Sequence, residues 1–145
     1  MNEKIIGQTF DQERVLYNLK DTQVVDCIFA GPADGESALK ESRDVALKNC
    51  RFSLRYPLWH SKKFLMEDSS MDELTRAAIW YASDGTIKNS ILGGIKCLRE
   101  CDRMKLDAPS ILRSLVGNAG ILRSKTARLS QNISCWNVKM FRSII

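Results

Sequence analysis

The sequence has a single histidine, His60, and its last 38 residues contain no carboxylate. One histidine excludes a histidine-rich metal site. Cys97 and Cys101 lack the second cysteine pair that a structural zinc site requires. We therefore expect no metal and no cofactor.

Long apolar runs are also missing. The start, MNEKIIGQTF, lacks the apolar region and the cleavage site of a signal peptide, and no later stretch resembles a membrane span. We expect a cytoplasmic protein that does not act on a membrane. Its five cysteines are then expected to be reduced rather than paired.

The net charge of +5 is unevenly distributed. Residues 1–107 hold 16 Lys and Arg against 17 Asp and Glu, so the excess of positive charge lies entirely in residues 108–145. Six cations in this tail suggest weak, nonspecific adhesion to nucleic acid. Because they do not cluster on one helical face, we do not expect nucleic acid to be the partner.

The first 107 residues repeat. Four segments align without gaps: VVDCIF from Val24, LKNCRF from Leu47, MEDSSM from Met66 and IKNSIL from Ile87. Four more align between them: ESALKE from Glu36, RYPLWH from Arg55, RAAIWY from Arg76 and IKCLRE from Ile95. A repeat of about twenty residues is too short for two helices.

Within each unit the apolar positions alternate, and an Asp or Asn interrupts the alternation at one fixed place. Alternation predicts strands, and Asp or Asn tolerates the left-handed conformation of a tight bend. The pattern predicts an all-β fold, a right-handed, single-stranded parallel β-helix of four to five rungs over residues 1–107. We expect one interior column of small residues, Cys27, Cys50, Ser69 and Ser90, and one apolar column, Leu39, Leu58, Ile79 and Leu98.

The strings GQTFDQERVLY, GPADGESALKES, LRYPLWH, RAAIWY and IKCLRECD resemble a bacterial domain-of-unknown-function family of right-handed parallel β-helix proteins. The resemblance extends from about Ile5 to Asp107 and implies the pectate-lyase-like superfold. It implies no activity. Members of the family are about twice as long, so the resemblance implies that this chain is truncated.

Residues 108–145 do not follow the repeat, and the next bend, expected near residues 108–110, is not evident. We also considered the tail in a second reading frame that starts at the third base of each codon. Synonymous codons for the observed residues allow this frame to encode CRNIEIKDSQI, which matches SRDVALKNCRF from Ser42 at the pattern positions. We therefore expect a frameshift near Asp107 and a poorly ordered tail, with a native capping unit as the alternative. An open β-helix end would favour self-association.

Two aligned columns are candidate sites. The first, the Trp column, contains Lys40, Trp59, Trp80 and Arg99. Stacked on neighbouring rungs, its indoles and cations could form a platform for sugar rings. The alternative is that these side chains pack on the core or under a loop, and alternation does not decide between the two.

The second, the His column, contains Glu41, His60, Tyr81 and Glu100. His60 with Glu41 or Glu100 has the groups for proton transfer, although such a mixed column is also typical of a solvated strand edge. The leading hypothesis is a non-catalytic β-helix that binds a carbohydrate through Lys40, Trp59, Trp80, Arg99 and Tyr81. The alternative is a polysaccharide lyase or hydrolase that uses His60, Glu41 and Glu100.

Overall fold

A computed structural model describes residues 2–94, 98–107, 110–113, 121–123 and 135–136. These residues form sixteen strands, numbered in chain order, and no helix. The six-stranded sheet A contains β1 (Glu3–Ile6), β3 (Thr22–Val25), β5 (Arg43–Lys48), β7 (Lys62–Glu67), β10 (Ser83–Lys88) and β13 (Lys105–Leu106). The seven-stranded sheet B contains β2 (Thr9–Phe10), β4 (Ile28–Phe29), β6 (Arg51–Phe52), β8 (Ser70–Met71), β11 (Ile91–Leu92), β14 (Ile111–Arg113) and β15 (Ile121–Arg123). The three-stranded sheet C contains β9 (Ile79–Trp80), β12 (Leu98–Arg99) and β16 (Cys135–Trp136).

Successive rungs pair in parallel, with Val24 opposite Leu47, Leu47 opposite Met66 and Met66 opposite Ile87. The chain is therefore a parallel β-solenoid of about five turns, which confirms the predicted all-β parallel β-helix. The pairing of β14 with β15 is antiparallel.

The bend between sheets A and B is the predicted one. Asp26, Asn49, Asp68 and Asn89 have φ values of 54°, 52°, 50° and 46°. Asn49 Nδ2 donates to Asp26 Oδ1 at 2.7 Å, and Asn89 Nδ2 donates to Asp68 Oδ1 at the same distance. Alternation of Asp and Asn thus places an amide donor, rather than a second carboxylate, beside each of these two Asp side chains.

Both predicted interior columns are confirmed. Leu39, Leu58, Ile79 and Leu98 are fully buried, and Cys27, Cys50, Ser69 and Ser90 are at most 4% exposed. Phe29 and Phe52 stack in parallel next to the small-residue column, with ring centroids 4.7 Å apart. Burial of these stacked side chains is the main favourable contribution to the fold.

The repeat continues past the predicted boundary at residue 107. Ser110 is buried, and its Oγ accepts from Ser90 N at 3.3 Å, so it extends the small-residue column by one rung. The carboxylate of Asp107, which follows β13, accepts from Asn89 N at 3.0 Å and so joins this rung to the bend of the preceding one. Apart from β14, β15 and β16, the rest of the predicted tail lies outside the described residues. The prediction that the tail is poorly ordered therefore also concerns residues outside the described ones.

Candidate functional site

The Trp column projects outward from sheet C. Trp80 lies opposite Arg99 in the parallel pair of β9 and β12. Backbone hydrogen bonds from Glu41 N to Trp59 O and from His60 N to Trp80 O, both 2.8 Å, continue the same ladder to the earlier rungs. Because the neighbouring apolar column faces the core, strand alternation turns the Trp column to the outside, where its side chains are half-buried.

The Trp column is a continuous stack. The Trp59 and Trp80 rings are 5.1 Å apart at an interplanar angle of 9°. Lys40 Nζ lies 4.5 Å from the centroid of Trp59, and Arg99 Cζ lies 4.4 Å from that of Trp80. A cation thus covers one end of the indole pair and a second cation the other, a favourable arrangement for the electron-rich ring faces. The flat faces of both indoles are therefore covered by other side chains of the protein. Only the edges of the rings are left outside this stack.

Tyr56 covers part of those edges. Its ring centroid is 6.0 Å from Trp59 and 5.9 Å from Trp80, inclined by 61° and 55°. The indole Nε1 atoms of both tryptophans are buried and have no hydrogen-bond partner in the described part of the chain. Tyr56 was not a predicted site residue. The string RYPLWH, which places it three residues before Trp59, was the only available signal.

The His column lies at the corner that follows sheet C. Its members share a left-handed backbone, with φ values of 60°, 58°, 53° and 49° at Glu41, His60, Tyr81 and Glu100. His60 and Tyr81 are exposed and stack on each other, with centroids 5.2 Å apart. Each ring also contacts the tryptophan before it in the chain, at 5.8 Å for His60 and 5.3 Å for Tyr81.

The structure brings together only part of the predicted proton-transfer group. His60 has Glu41 on the preceding rung and Tyr81 on the following one, so Tyr81 separates it from Glu100. Glu41 Oε2 accepts the Tyr17 hydroxyl at 2.8 Å, and this hydrogen bond raises the pKa of Tyr17. Within the described residues, Glu41 and His60 form no ion pair.

Asp34, Glu36 and Asp72, further carboxylates of the described chain, are engaged in structural contacts. Arg55 lies 3.6 Å from Asp34 and 3.8 Å from Glu36. Asp72 accepts the Ser53 hydroxyl and, at 2.9 Å, the Leu74 N–H. Among the residues with assigned positions, no group of three or more His, Cys, Asp or Glu is arranged to hold a metal ion. That part of the chain also contains no helix with the length and apolarity needed to cross a membrane.

Comparison with known proteins identifies a family without an established activity. A family model described as "Protein of unknown function (DUF3737)" matches residues 3–140. No curated protein matches the chain. One solved structure, of a trypsin-treated form of QnrB1, a plasmid-mediated fluoroquinolone resistance protein, is 8% identical and covers 97% of this chain and 92% of its own, with a TM-score of 0.20. A likeness of that size carries no argument about function.

The family match continues past Asp107, where the frameshift was predicted. An out-of-frame origin of residues 108–145 stays a prediction, which the nucleotide sequence would test. Because the family model covers most of the sequence, the chain belongs to the DUF3737 family of proteins of unknown function.

Proposed function

We propose that this protein is a non-catalytic β-solenoid that binds a carbohydrate along the side formed by the Trp and His columns. The observation that carries the proposal is the exposed pair His60 and Tyr81. They stack on each other, yet no hydrogen bond within the described part of the chain uses the Tyr81 hydroxyl or the His60 imidazole. Rigid, exposed rings with uncommitted polar atoms are suited to sugar hydroxyls.

The Trp column and the His column have different roles in binding. The indole faces are covered by each other and by Lys40 and Arg99, so a sugar ring cannot stack on them. Trp59 and Trp80 instead hold His60 and Tyr81 in place through the ring contacts between neighbouring residues. A preorganised surface loses little conformational entropy when a ligand binds.

The repeat of the solenoid favours an extended ligand. Neighbouring strands are about 4.8 Å apart, so successive rungs present His60 and Tyr81 at a regular spacing along the axis. A linear polysaccharide is also a regular repeat, and several sugar units can bind side by side. Each contact is weak, and several together give useful affinity.

The experiment is a glycan-binding screen followed by titration of the bound polysaccharide with variants. We expect Tyr81→Ala and His60→Ala each to weaken binding about tenfold, the equivalent of one lost contact of about 1.4 kcal/mol. Leu74→Ala is the surface control, because Leu74 is 62% exposed and lies outside both columns. Trp59→Phe should change affinity less than Tyr81→Ala, since the indole face is not the binding surface.

Unchanged affinity in Tyr81→Ala and His60→Ala, or no bound glycan in the screen, would overturn the proposal. The alternative, a polysaccharide-acting enzyme, makes a separate prediction. Incubation with the bound polymer would then shorten it, and His60→Ala or Glu41→Gln would stop the shortening. A polymer of constant length is expected from a binding protein.

A further inference from the structure

A column of like charges lies on the rungs next to the proposed glycan site. Lys20 pairs with Arg43 through a parallel bridge, and Arg43 lies opposite Lys62 in β5 and β7. All three side chains are exposed. We call Lys20, Arg43 and Lys62 the basic column. Like charges directly opposite each other on adjacent strands are destabilising, so the fold itself gives no reason for this arrangement.

The basic column has few carboxylates beside it. Asp84 on the next rung has a Coulombic interaction with Lys62 and Lys63, but its carboxylate is bound by Arg103. Asp21 and Asp44 follow Lys20 and Arg43 in the chain, but the residue after Lys62 is a further cation, Lys63. Within the described residues, none of these side chains forms an ion pair. These corner positions therefore hold four cations and two carboxylates, and neither lysine of the Lys62 rung has a carboxylate beside it in the chain.

The later rungs of the same side are arranged differently. Ser83 and Asp102 occupy the positions that correspond to Lys62. Arg103 binds both oxygens of Asp84, at 2.6 and 3.0 Å, and also Asp102 at 2.6 Å. Arg103 is paired with carboxylates there, so the surplus of positive charge at these corner positions lies on the rung of Lys62 and Lys63.

The rung of Lys62 also carries His60, one of the residues proposed to bind the glycan. Lys62 follows His60 by two residues, and the residue between them, Ser61, is fully buried, with its Oγ 3.0 Å from Ser42 Oγ. His60 and Lys62 are thus the exposed positions on the two sides of one corner. The nearest carboxylate of the His column, Glu41, already accepts the Tyr17 hydroxyl.

We infer that the ligand is an acidic polysaccharide, whose carboxylate or sulfate groups are bound by Arg43, Lys62 and Lys63 while its sugar rings contact His60 and Tyr81. The inference rests on the proposed function and adds the chemical class of the ligand. Guanidinium and ammonium groups form strong, charge-assisted hydrogen bonds with such anions.

Affinity electrophoresis of the full chain in gels with dextran, carboxymethyl-dextran or dextran sulfate tests the inference, because the three polymers share one backbone. We expect retardation by at least one charged polymer, little by dextran, and a loss of retardation as salt rises. A preference between the charged polymers would distinguish carboxylate from sulfate. The double variant Lys62→Gln and Lys63→Gln should weaken binding about tenfold or more.

The double variant Lys48→Gln and Lys88→Gln is the charge-matched control, because both lysines are exposed on sheet A and lie away from the basic column. Equal losses in the two double variants, or equal competition by duplex DNA, would mean that net charge alone is responsible and would overturn the inference. Dextran binding that depends on Tyr81 but not on Lys62 and Lys63 would overturn the inference and leave the proposed function intact. Retention by none of the polymers would overturn the inference, whereas the proposed function is decided by the glycan-binding screen.

Discussion

At the scale of single residues, the small interior column shows why Cys and Ser replace each other between rungs. Cys50 Sγ lies 3.3 Å from Val24 O and 3.4 Å from Lys48 O, and Ser69 Oγ donates to Glu67 O at 2.8 Å. Each side chain is small and satisfies a carbonyl two residues earlier. Burial raises the pKa of Cys50 to about 11, so its thiol stays neutral in the folded protein.

We predict that Cys50→Ser leaves the free energy of unfolding at neutral pH within about 1 kcal/mol of the wild type, because serine already fills this position on the next rung. The thiol of unfolded Cys50 ionises above its ordinary pKa of 9.0, whereas the folded thiol does so near 11. Its contribution to stability is therefore complete below pH 9 and is lost as pH rises towards 11. Urea denaturation from pH 7 to 11 should show a smaller alkaline loss in Cys50→Ser.

Leu47→Ser is the control for that variant, because the column of Leu47 holds Val24, Met66, Ile87 and Leu106 and no serine. It should cost several kcal/mol, since it removes buried apolar volume and leaves a hydroxyl without an assigned partner. Equal stability losses in the two serine variants would contradict the interpretation of Cys50 as an interchangeable column residue.

At the scale of the strand and its corner, the sequence predicts those features that local chemistry determines. The bend at Asn49 was predictable, because asparagine itself favours the left-handed conformation. The left-handed corner at Tyr81 and Glu100 was not, because neither residue has that preference. Backbone hydrogen bonds to the adjacent rung, such as His60 N to Trp80 O, hold the corner, and these depend on the complete stack.

The candidate site, too, was predictable from the sequence only in part. Repeat alignment placed Trp59 and Trp80 in register, and the structure confirms that they stack. Which ring surfaces remain available also depends on how Lys40 and Arg99 of the same column lie over the indoles, and on the Tyr56 ring, which lies outside the column. The repeat determines which residues form a column. Side-chain orientation and residues outside the column determine which ring surfaces stay exposed.

The Asp84 and Arg103 pair gives a prediction for the corner at the start of β10. Hydrogen bonds from the Arg103 guanidinium hold the pKa of Asp84 below its ordinary value of 3.8, against the opposing effect of burial. A lowered pKa stabilises the folded state above pH 3.8, and this stabilisation is lost as pH falls further towards the folded value. Asp84→Asn should therefore show a shallower loss of stability below about pH 4 than the wild type.

Asp44→Asn is the matched control, since Asp44 has the same left-handed corner two rungs earlier and forms no ion pair in the described chain. Its acid denaturation profile should parallel that of the wild type. Urea midpoints measured from pH 6 to 2.5 would check both variants. Parallel profiles for all three proteins would show that the Arg103 contact does not stabilise the fold in solution.

At the scale of the whole molecule, each rung contacts only the rungs before and after it. The sheets have the simple order of a stack, from β1 through β3, β5, β7 and β10 to β13 in sheet A. Stability in such a chain is the sum of the rungs and of the interfaces between neighbours, so a local defect weakens adjacent rungs first. The stack from Lys40 to Arg99 adds a connection on the outer side of four consecutive rungs.

Leu58→Ala tests this neighbour dependence. Leu58 is fully buried between the rungs of Leu39 and Ile79, and its truncation should lower the free energy of unfolding by about 2–5 kcal/mol. Amide hydrogen exchange should then increase most in β5, β7 and β10 and least in β1 and β2, which lie at the far end of their sheets. Leu74→Ala, at a 62% exposed position, should leave exchange unchanged. An equal increase in all strands would mean that the solenoid unfolds as one cooperative unit and that its rungs have no separate stability.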